Sequence, residues 1–316
     1  MHSVNNQRIK KPKQEKLASP LPMRQGVSAS RVWLPKDESG KWRTVLDFLI
    51  ERFPFIDTHI LLMRMERGDI VDQTGKPFDK NTPYHGEVFL FYYREIPDEP
   101  SIPFKEKVLF KNDNIIVVDK PHFLPVTPGG RFVRETLLSR LKHHYNNEDI
   151  SPIHRLDRET AGVMLFSCNK SIRGAYQTLF QQRQVQKNYE AIAGINPELD
   201  FPLTHKSRMV KSTDNFFTMQ EIAGEANSET EINIIETRNN LARYQLKPAS
   251  GKQHQLRVHM MSLRIPILND PFYPELLADK GDDYSKPLQL LAKSVRFIDP
   301  LTKEERFFES QLRLTL

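Results

Sequence analysis

Apolar positions recur along this chain with two different periods. Thr44 to Phe53 (TVLDFLIERF) carries Val45, Phe48, Leu49 and Phe53 at helical spacing, which predicts a helix. A second helical stretch, Thr58 to Met65, follows the turn at Pro54. Gly68-Asp69, a short apolar pair, the turn Thr74-Gly75 and an alternating run from Glu87 to Tyr93 complete a helix–helix–strand–turn–strand unit. Beyond residue 105 strands dominate. The candidates are Val108–Phe110, Ile115–Asp119, Gly162–Ser167, Lys187–Gly194, Glu229–Glu236, Ala242–Lys247 and Leu288–Phe297. Helical patterns interrupt them at Glu135–Tyr145, Ser171–Arg183 and His254–Leu263. The expected fold class is α+β: a mixed, mostly antiparallel sheet with flanking helices, preceded by a small N-terminal α/β module. No internal repeat of solenoid period is present.

Where the patterns stop, boundaries are expected. Residues 1–31 are polar, with seven Lys or Arg among Arg8 to Arg31 against the single acid Glu15, and read as a basic disordered tail. Residues 32–100 form the small module. REIPDEPSIPF, residues 94–104, has three prolines and reads as a linker. Residues 105–316 form the main domain. The layout of the small module, with its helix–RGDI–turn stretch, is similar to the alpha-L RNA-binding domain; a purely structural version of the same unit is equally consistent with it.

Composition narrows the class. A hydrophobic fraction of 38% and a mean hydropathy of −0.55 fit a globular protein, and no stretch reaches the roughly 20 apolar residues a membrane helix needs. No secretory signal is read at the N-terminus. Cys168 is the only cysteine, which excludes an intrachain disulfide framework and a cysteine-rich zinc site. A reducing, cytoplasmic setting is expected. The net charge of +6 and pI near 9.2 favour an anionic partner, nucleic acid before membrane.

Three blocks carry candidate chemistry. In His154-Arg155-Leu156-Asp157-Arg158-Glu159-Thr160-Ala161-Gly162 a carboxylate, Asp157, stands between two arginines at the mouth of an apolar strand. Flanking positive charge favours an ionised carboxylate, as a nucleophile or general base requires. Charge pattern alone favours a loop ion-pair cluster over a catalytic carboxylate. A kinase loop fails, because Leu156 separates Arg155 from Asp157. A zinc helix fails, because His254 and His259 are five apart rather than four. The second block, Lys187-Asn188-Tyr189-Glu190-Ala191, offers an aromatic face that is either core or a platform for a base. The third runs from Lys247 to His259, where Arg257 sits at a helix start beside the core face and calls for an anionic partner.

The segments KNDNIIVVDKPHFLPVTPGG, HRLDRETAG, QKNYEAIAG and KPASGKQHQLRVHMMSLRIPILNDPFY stand in the order seen in RluA-type RNA pseudouridine synthases. On them the chain is identified as resembling that family over about residues 105–300. The resemblance implies that Asp157 is the catalytic aspartate, Tyr189 the tyrosine stacked on the target base, and Arg257 the partner of the aspartate. It further implies that Arg155 helps displace the target nucleotide and that Leu290 lies on the far side of the base. His154 and Lys187 are expected with them on the substrate side. The implied reaction, isomerisation of uridine to pseudouridine in rRNA or tRNA, calls for no cofactor, no metal, no membrane and no protein partner. The other reading kept open is an RNA-binding homologue with decayed activity. The chain departs from the family pattern at Ala161, usually Ser, at Ser250-Gly251-Lys252, usually Thr-Gly-Arg, and at Leu291, commonly His.

Overall fold

The computed structural model describes residues 18–94, 99–215, 217–277 and 283–316. The chain divides into two compact units, Met1–Glu95 and Ile96–Leu316.

In the first unit, β1 (Ser30–Leu34), α1 (Val45–Arg52), α2 (Thr58–Glu66), β2 (Ile70–Asp72) and β3 (Val88–Tyr92) follow one another, and the sheet order is β1-β3-β2, all antiparallel. Thr44 and Asp47 form a capping box that sets the start of α1, and the Asp57 carboxylate caps α2 by accepting from His59 N at 2.7 Å. Val45, Phe48 and Leu49 then face Leu61, Met65, Ile70 and Leu90 in one buried cluster. The expected disordered tail needs correction. Residues 1–17 lie outside the described residues, but Ser30 and Arg31 open β1, paired with Tyr92 and Phe91. Val27 is buried, and the Tyr93 hydroxyl donates to Pro22 O. The polar composition of this arm hides its ordering, because backbone pairing and a few buried contacts hold it.

In the second unit, the strands are β4 (Lys107–Lys111), β5 (Ile115–Lys120), β6 (Ser151–Pro152), β7 (Ala161–Ser167), β8 (Gln186–Gly194), β9 (Leu203–Lys211), β10 (Met219–Ile222), β11 (Ser228–Arg238), β12 (Leu241–Pro248), β13 (Leu290–Ile298) and β14 (Glu305–Glu309). They form an eleven-stranded sheet whose main path is β10-β9-β11-β12-β8-β13-β7-β5-β4, with β14 paired to β13 and β6 to β7. β13 and β7 run parallel and the other pairs antiparallel, as the expected mixed sheet requires.

Helices lie on both faces. α3 (Leu137–Tyr145) covers Ile116, Val118, Met164 and Phe166, while α4 (Arg173–Gln181) covers Ile115, Val117, Val163 and Leu165 on the other side. β5 and β7 are therefore buried on both faces, which is why they read as continuous apolar runs. α5 (Gln255–Ser262) sets Leu256 and Met260 against Ala191, Tyr244, Leu246 and Leu290.

The linker expected over residues 94–104 also needs correction. Residues 95–98 lie outside the described residues. Beyond them, the buried Glu99 carboxylate accepts from the amides of Val133, Arg134 and Glu135 at 2.6, 3.0 and 2.8 Å. Ile102 is buried under α3, and Arg140 donates to the carbonyls of Ile102 and Phe104. The prolines keep this segment extended while its apolar and acidic side chains fix it to the second unit.

Candidate active site

Asp157 stands in the loop between β6 and β7. Leu156 before it is buried in the core beneath α3, and Thr160 N donates to Asp157 O at 3.2 Å, so the loop is closed on itself at the strand mouth. The strand it feeds approaches β13 very closely: Gly162 has φ +114°, and a Cβ there would stand 2.2 Å from Ala292 O. Only glycine fits this parallel junction.

Arg257 comes to Asp157 from α5. Its side chain is 1% exposed and its guanidinium spans two carboxylates. Nε and Nη2 donate to Asp270 at 2.8 and 2.6 Å, and Nη1 donates to Asp157 Oδ2 at 3.2 Å. Asp270 is itself held by the amides of Phe272 and Tyr273, at 2.8 and 3.2 Å, and both rings lie against the guanidinium. Burial works against the Arg257 charge, but the hydrogen bonds and charge of Asp270, with Asp157 behind them, raise its pKa further. The bidentate pair with Asp270 neutralises one carboxylate in the interior and leaves Nη1 to fix the other, whose side chain is 27% exposed.

His254 completes this side. It stands in the left-handed region, φ 53°, one residue before α5, with Nε2 3.8 Å from Asp157 Oδ1 and Nδ1 2.9 Å from the Tyr273 hydroxyl. That hydroxyl accepts from Met219 N at 2.8 Å, so its own proton is free to go to His254 Nδ1. Burial lowers the His254 pKa despite the nearby Asp157 charge, which favours the neutral ring.

Tyr189 on β8 pairs with Leu246 of β12 and with Ala292 of β13, and Leu290 pairs with Ala191. Tyr189 and Leu290 are therefore diagonal neighbours on one sheet face. Tyr189 is half-buried between the clusters under α3 and α5. Burial, and then the charge of Asp157, hold its phenol well above the ordinary value, so it stays protonated. A neutral phenol, an apolar wall and an ion-paired carboxylate thus converge, a set able to hold a flat ring beside a nucleophile or base.

The remaining expected residues divide. Arg155, two residues before Asp157 in the chain, is exposed. Lys187 reaches the turn before α5 and donates to Ser250 O at 2.7 Å; burial and then Arg183 lower its pKa to about 8. His154 does not join the group. Its Nε2 accepts from Leu165 N at 3.1 Å and its ring stacks on Phe180 at 4.5 Å, on the α4 side of the sheet. Burial lowers its pKa to about 3, which suits an acceptor that buttresses β7.

A family model described as RNA pseudouridylate synthase matches residues 114–262. The dual-specificity RNA pseudouridine synthase RluA of Haemophilus ducreyi is 30% identical over 232 residues, covering 67% of this chain and 95% of that protein. This chain belongs to the RluA-type RNA pseudouridine synthases. It is also similar to the mitochondrial tRNA pseudouridine(32) synthase of Saccharomyces cerevisiae, 30% identical over 244 residues, with 74% of this chain but 51% of that one covered. Among solved structures, human RNA pseudouridylate synthase domain containing 1 matches with a TM-score of 0.55 at 22% identity, over 67% of this chain and 85% of that one, and supports the fold. A pseudouridine synthase is an isomerase acting on RNA, and the enzyme class of this chain follows from the family.

In this pseudouridine synthase several residues around Asp157 have roles that the sequence does not assign. Asp270, His254 and Tyr273 lie within a recognisable segment, but the sequence assigns them no role; the need of a buried Arg257 for a carboxylate is the cue that leads to Asp270. Lys120, at the end of β5, is another. It is fully buried and its Nζ donates to the carbonyls of Pro121, Leu124 and Arg158 at 3.1, 2.9 and 3.0 Å. It ties the end of β5 to the backbone one residue past Asp157.

Proposed function

We propose that the chain converts uridine to pseudouridine in ribosomal or transfer RNA, with Asp157 as the catalytic residue. The observation that carries this is the Asp157–Arg257–Asp270 bridge, in which a partly exposed carboxylate is ion-paired to an arginine that a second, buried carboxylate orients. The reaction detaches uracil from C1′, turns it and rejoins it through C5. Atoms and electrons balance without an oxidant or group donor, so no cofactor is called for. The base is flipped out of its RNA to reach a pocket. Arg155, exposed two residues before Asp157 in the chain, is suited to fill the vacancy. The carboxylate either adds to C1′ or takes a sugar proton to give a glycal, and Arg257 Nη1, donating to Oδ2, orients it for either. Tyr189 and Leu290 hold the detached ring, and that retention separates isomerisation from hydrolysis.

The first unit, with its two helices and three-stranded sheet, is proposed to add RNA backbone contacts in the manner of an alpha-L domain. The Saccharomyces cerevisiae relative is named for tRNA and the Haemophilus ducreyi relative for dual specificity on RNA, which supports structured RNA, tRNA included, as the substrate class.

The test is to map pseudouridines in total RNA from cells with and without the gene, and again after restoring wild type or Asp157→Asn. One or more sites should vanish with the gene and return only with wild type. Sites restored by Asp157→Asn would remove that residue from its role, and an unchanged map would refute the substrate class.

A further inference from the structure

A second constellation lies on the far side of α5, apart from the carboxylate bridge. β9 and β11 present His205, Ser207, Ser228 and Thr230 on one sheet face, with His205 opposite Thr230 and Ser207 opposite Ser228. β10 adds Glu221 opposite Met209, on the same face. α5 packs over it and brings down His259, which is fully buried. His205 Nε2 lies 2.9 Å from Glu221 Oε1, and His259 Nε2 lies 3.9 Å from the same oxygen. The three ligand atoms all fall within 4.8 Å of one another.

We propose that His205, Glu221 and His259 form a binding site for a borderline divalent cation, zinc(II) foremost, with solvent in the remaining position. Two imidazoles and one carboxylate are the donor set of a three-ligand zinc site that keeps a coordination position open. Metal–ligand bonds of about 2.0–2.2 Å in a tetrahedron put neighbouring ligand atoms about 3.3 Å apart. The observed 2.9 and 3.9 Å straddle that value, and the two imidazole donors, within 4.8 Å of each other, close on a bound ion by up to about 1.5 Å. The side chains of His205 and Glu221 are each 20% exposed, which leaves an entry path on their side.

The outer shell is also in place. His259 Nδ1 lies 2.9 Å from Thr230 Oγ1, which fixes the ring with Nε2 toward the cluster. The hydroxyls of Ser207 and Ser228, 3.2 and 3.0 Å from that Nε2, are satisfied without it: they bond each other at 3.1 Å, and Ser228 donates to Ser207 O at 2.8 Å. A cation there ties the β9–β10 hairpin to the helix that carries Arg257. Met219, two residues before Glu221, already donates to the Tyr273 hydroxyl that touches His254, so the clamp reaches the catalytic side through backbone. Its expected role is to hold α5 in place; the chemical step does not use it.

The test uses the full chain, stripped with chelator and dialysed. Zinc(II) is titrated by calorimetry, and cobalt(II) by its visible ligand-field bands. Wild type is expected to take up one equivalent saturably, with bands of a four- or five-coordinate ion and a raised melting temperature. His205→Ala and Glu221→Gln, both partly exposed positions that should fold, are expected to lose that equivalent. His259→Ala is left aside because a fully buried side chain can fail for packing reasons. The His143-His144 pair is a second possible histidine locus, and His143→Ala with His144→Ala is expected to leave the equivalent intact. Uptake unchanged in both His205→Ala and Glu221→Gln would overturn the proposal. So would the absence of saturable uptake by folded wild type, which would leave His205 and Glu221 as an ordinary hydrogen-bonded pair.

Discussion

Arg257 Nη1 stands 3.2 Å from Asp157 Oδ2 across one hundred residues of sequence, while the same guanidinium grips Asp270 with its two other faces. The arginine is thus anchored from behind and offers a single donor forward. Removing it strands Asp270, which is 1% exposed, without its counter-ion. Arg257→Met should therefore destabilise the fold by about 3–5 kcal/mol and abolish turnover. Asp270→Asn keeps the shape and should leave a folded protein with much reduced kcat, because Arg257 loses its orientation. Denaturant melts and single-turnover rates check both. A wild-type rate in Arg257→Met would show that the bridge does not serve the reaction.

Tyr189 separates stacking from proton chemistry. Its phenol stays neutral because burial and Asp157 both oppose ionisation. Tyr189→Phe should keep RNA affinity within about threefold, roughly 0.7 kcal/mol, and lose turnover. Tyr189→Leu should weaken both. Equal turnover in wild type and Tyr189→Phe would confine the residue to packing.

The main strands are legible because β5 and β7 are continuous apolar runs and β8, β12 and β13 are rich in apolar positions. β9 and β10 are not, and the reason is physical. The inward positions His205, Ser207 and Glu221 are polar, since they face the histidine of α5 and not an apolar layer, so the period-2 signal is absent. β1 does alternate, with Val32 and Leu34 facing the core, but it is short and follows a polar flank. Within the site, Asp157, Tyr189 and Arg257 emerge from the order of recognisable blocks. Asp270 does not, because charge in a sequence does not say which carboxylate an arginine meets. His154 shows the opposite difficulty: nearness to Asp157 in sequence suggests a shared role, but three residues before it the His154 ring turns to Phe180 and the other face of the sheet.

The β7–β13 junction gives a backbone test. A Cβ at position 162 would stand 2.2 Å from Ala292 O and 2.7 Å from its N and C, at a φ that side chains rarely adopt. The obstruction is backbone on the neighbouring strand and cannot swing aside. Gly162→Ala should cost on the order of 3 kcal/mol or more and reduce kcat, because the strand leading out of the Asp157 loop must shift. Thermal melts and activity at a permissive temperature read the two effects. A melting temperature equal to wild type would mean that the two strands are not so close in solution.

Lys120 gives a pH signature. Burial lowers its pKa from 10.5 to about 7, against the attraction of Glu159 and Asp157. Below pH 7 both folded and unfolded states hold the proton, and the full cost of burying the charge is present. Between about 7 and 10.5 the unfolded chain binds more protons, so this group's contribution to stability rises with pH across that window. Lys120→Met lacks the titration. The stability difference, wild type minus Lys120→Met, should therefore increase from pH 7 to pH 9 by about 1–3 kcal/mol. Parallel curves for the two proteins would show that Lys120 stays charged in the fold.

Truncation tests where the catalytic unit begins. Glu99 satisfies three amides just ahead of α3, and Ile102 and Phe104 lend carbonyls to Arg140, so residues 99–104 are part of that unit. A chain starting at residue 96 keeps these contacts, and one starting at residue 105 loses them. Each stranded buried amide costs about 1–3 kcal/mol, and exposure of Ile102 adds to that. The longer form should fold and unfold cooperatively, and the shorter one should be less stable by about 3 kcal/mol or more. Denaturant midpoints decide this, and equal midpoints would mean that the segment is a free linker after all. The longer form also isolates the first unit's contribution to RNA binding. If residues 1–95 contact phosphates, deletion lowers affinity and flattens the slope of log affinity against log salt, while the rate at saturating RNA changes little. An unchanged slope in a folded, active truncation would assign the small unit a structural role and remove it from RNA recognition.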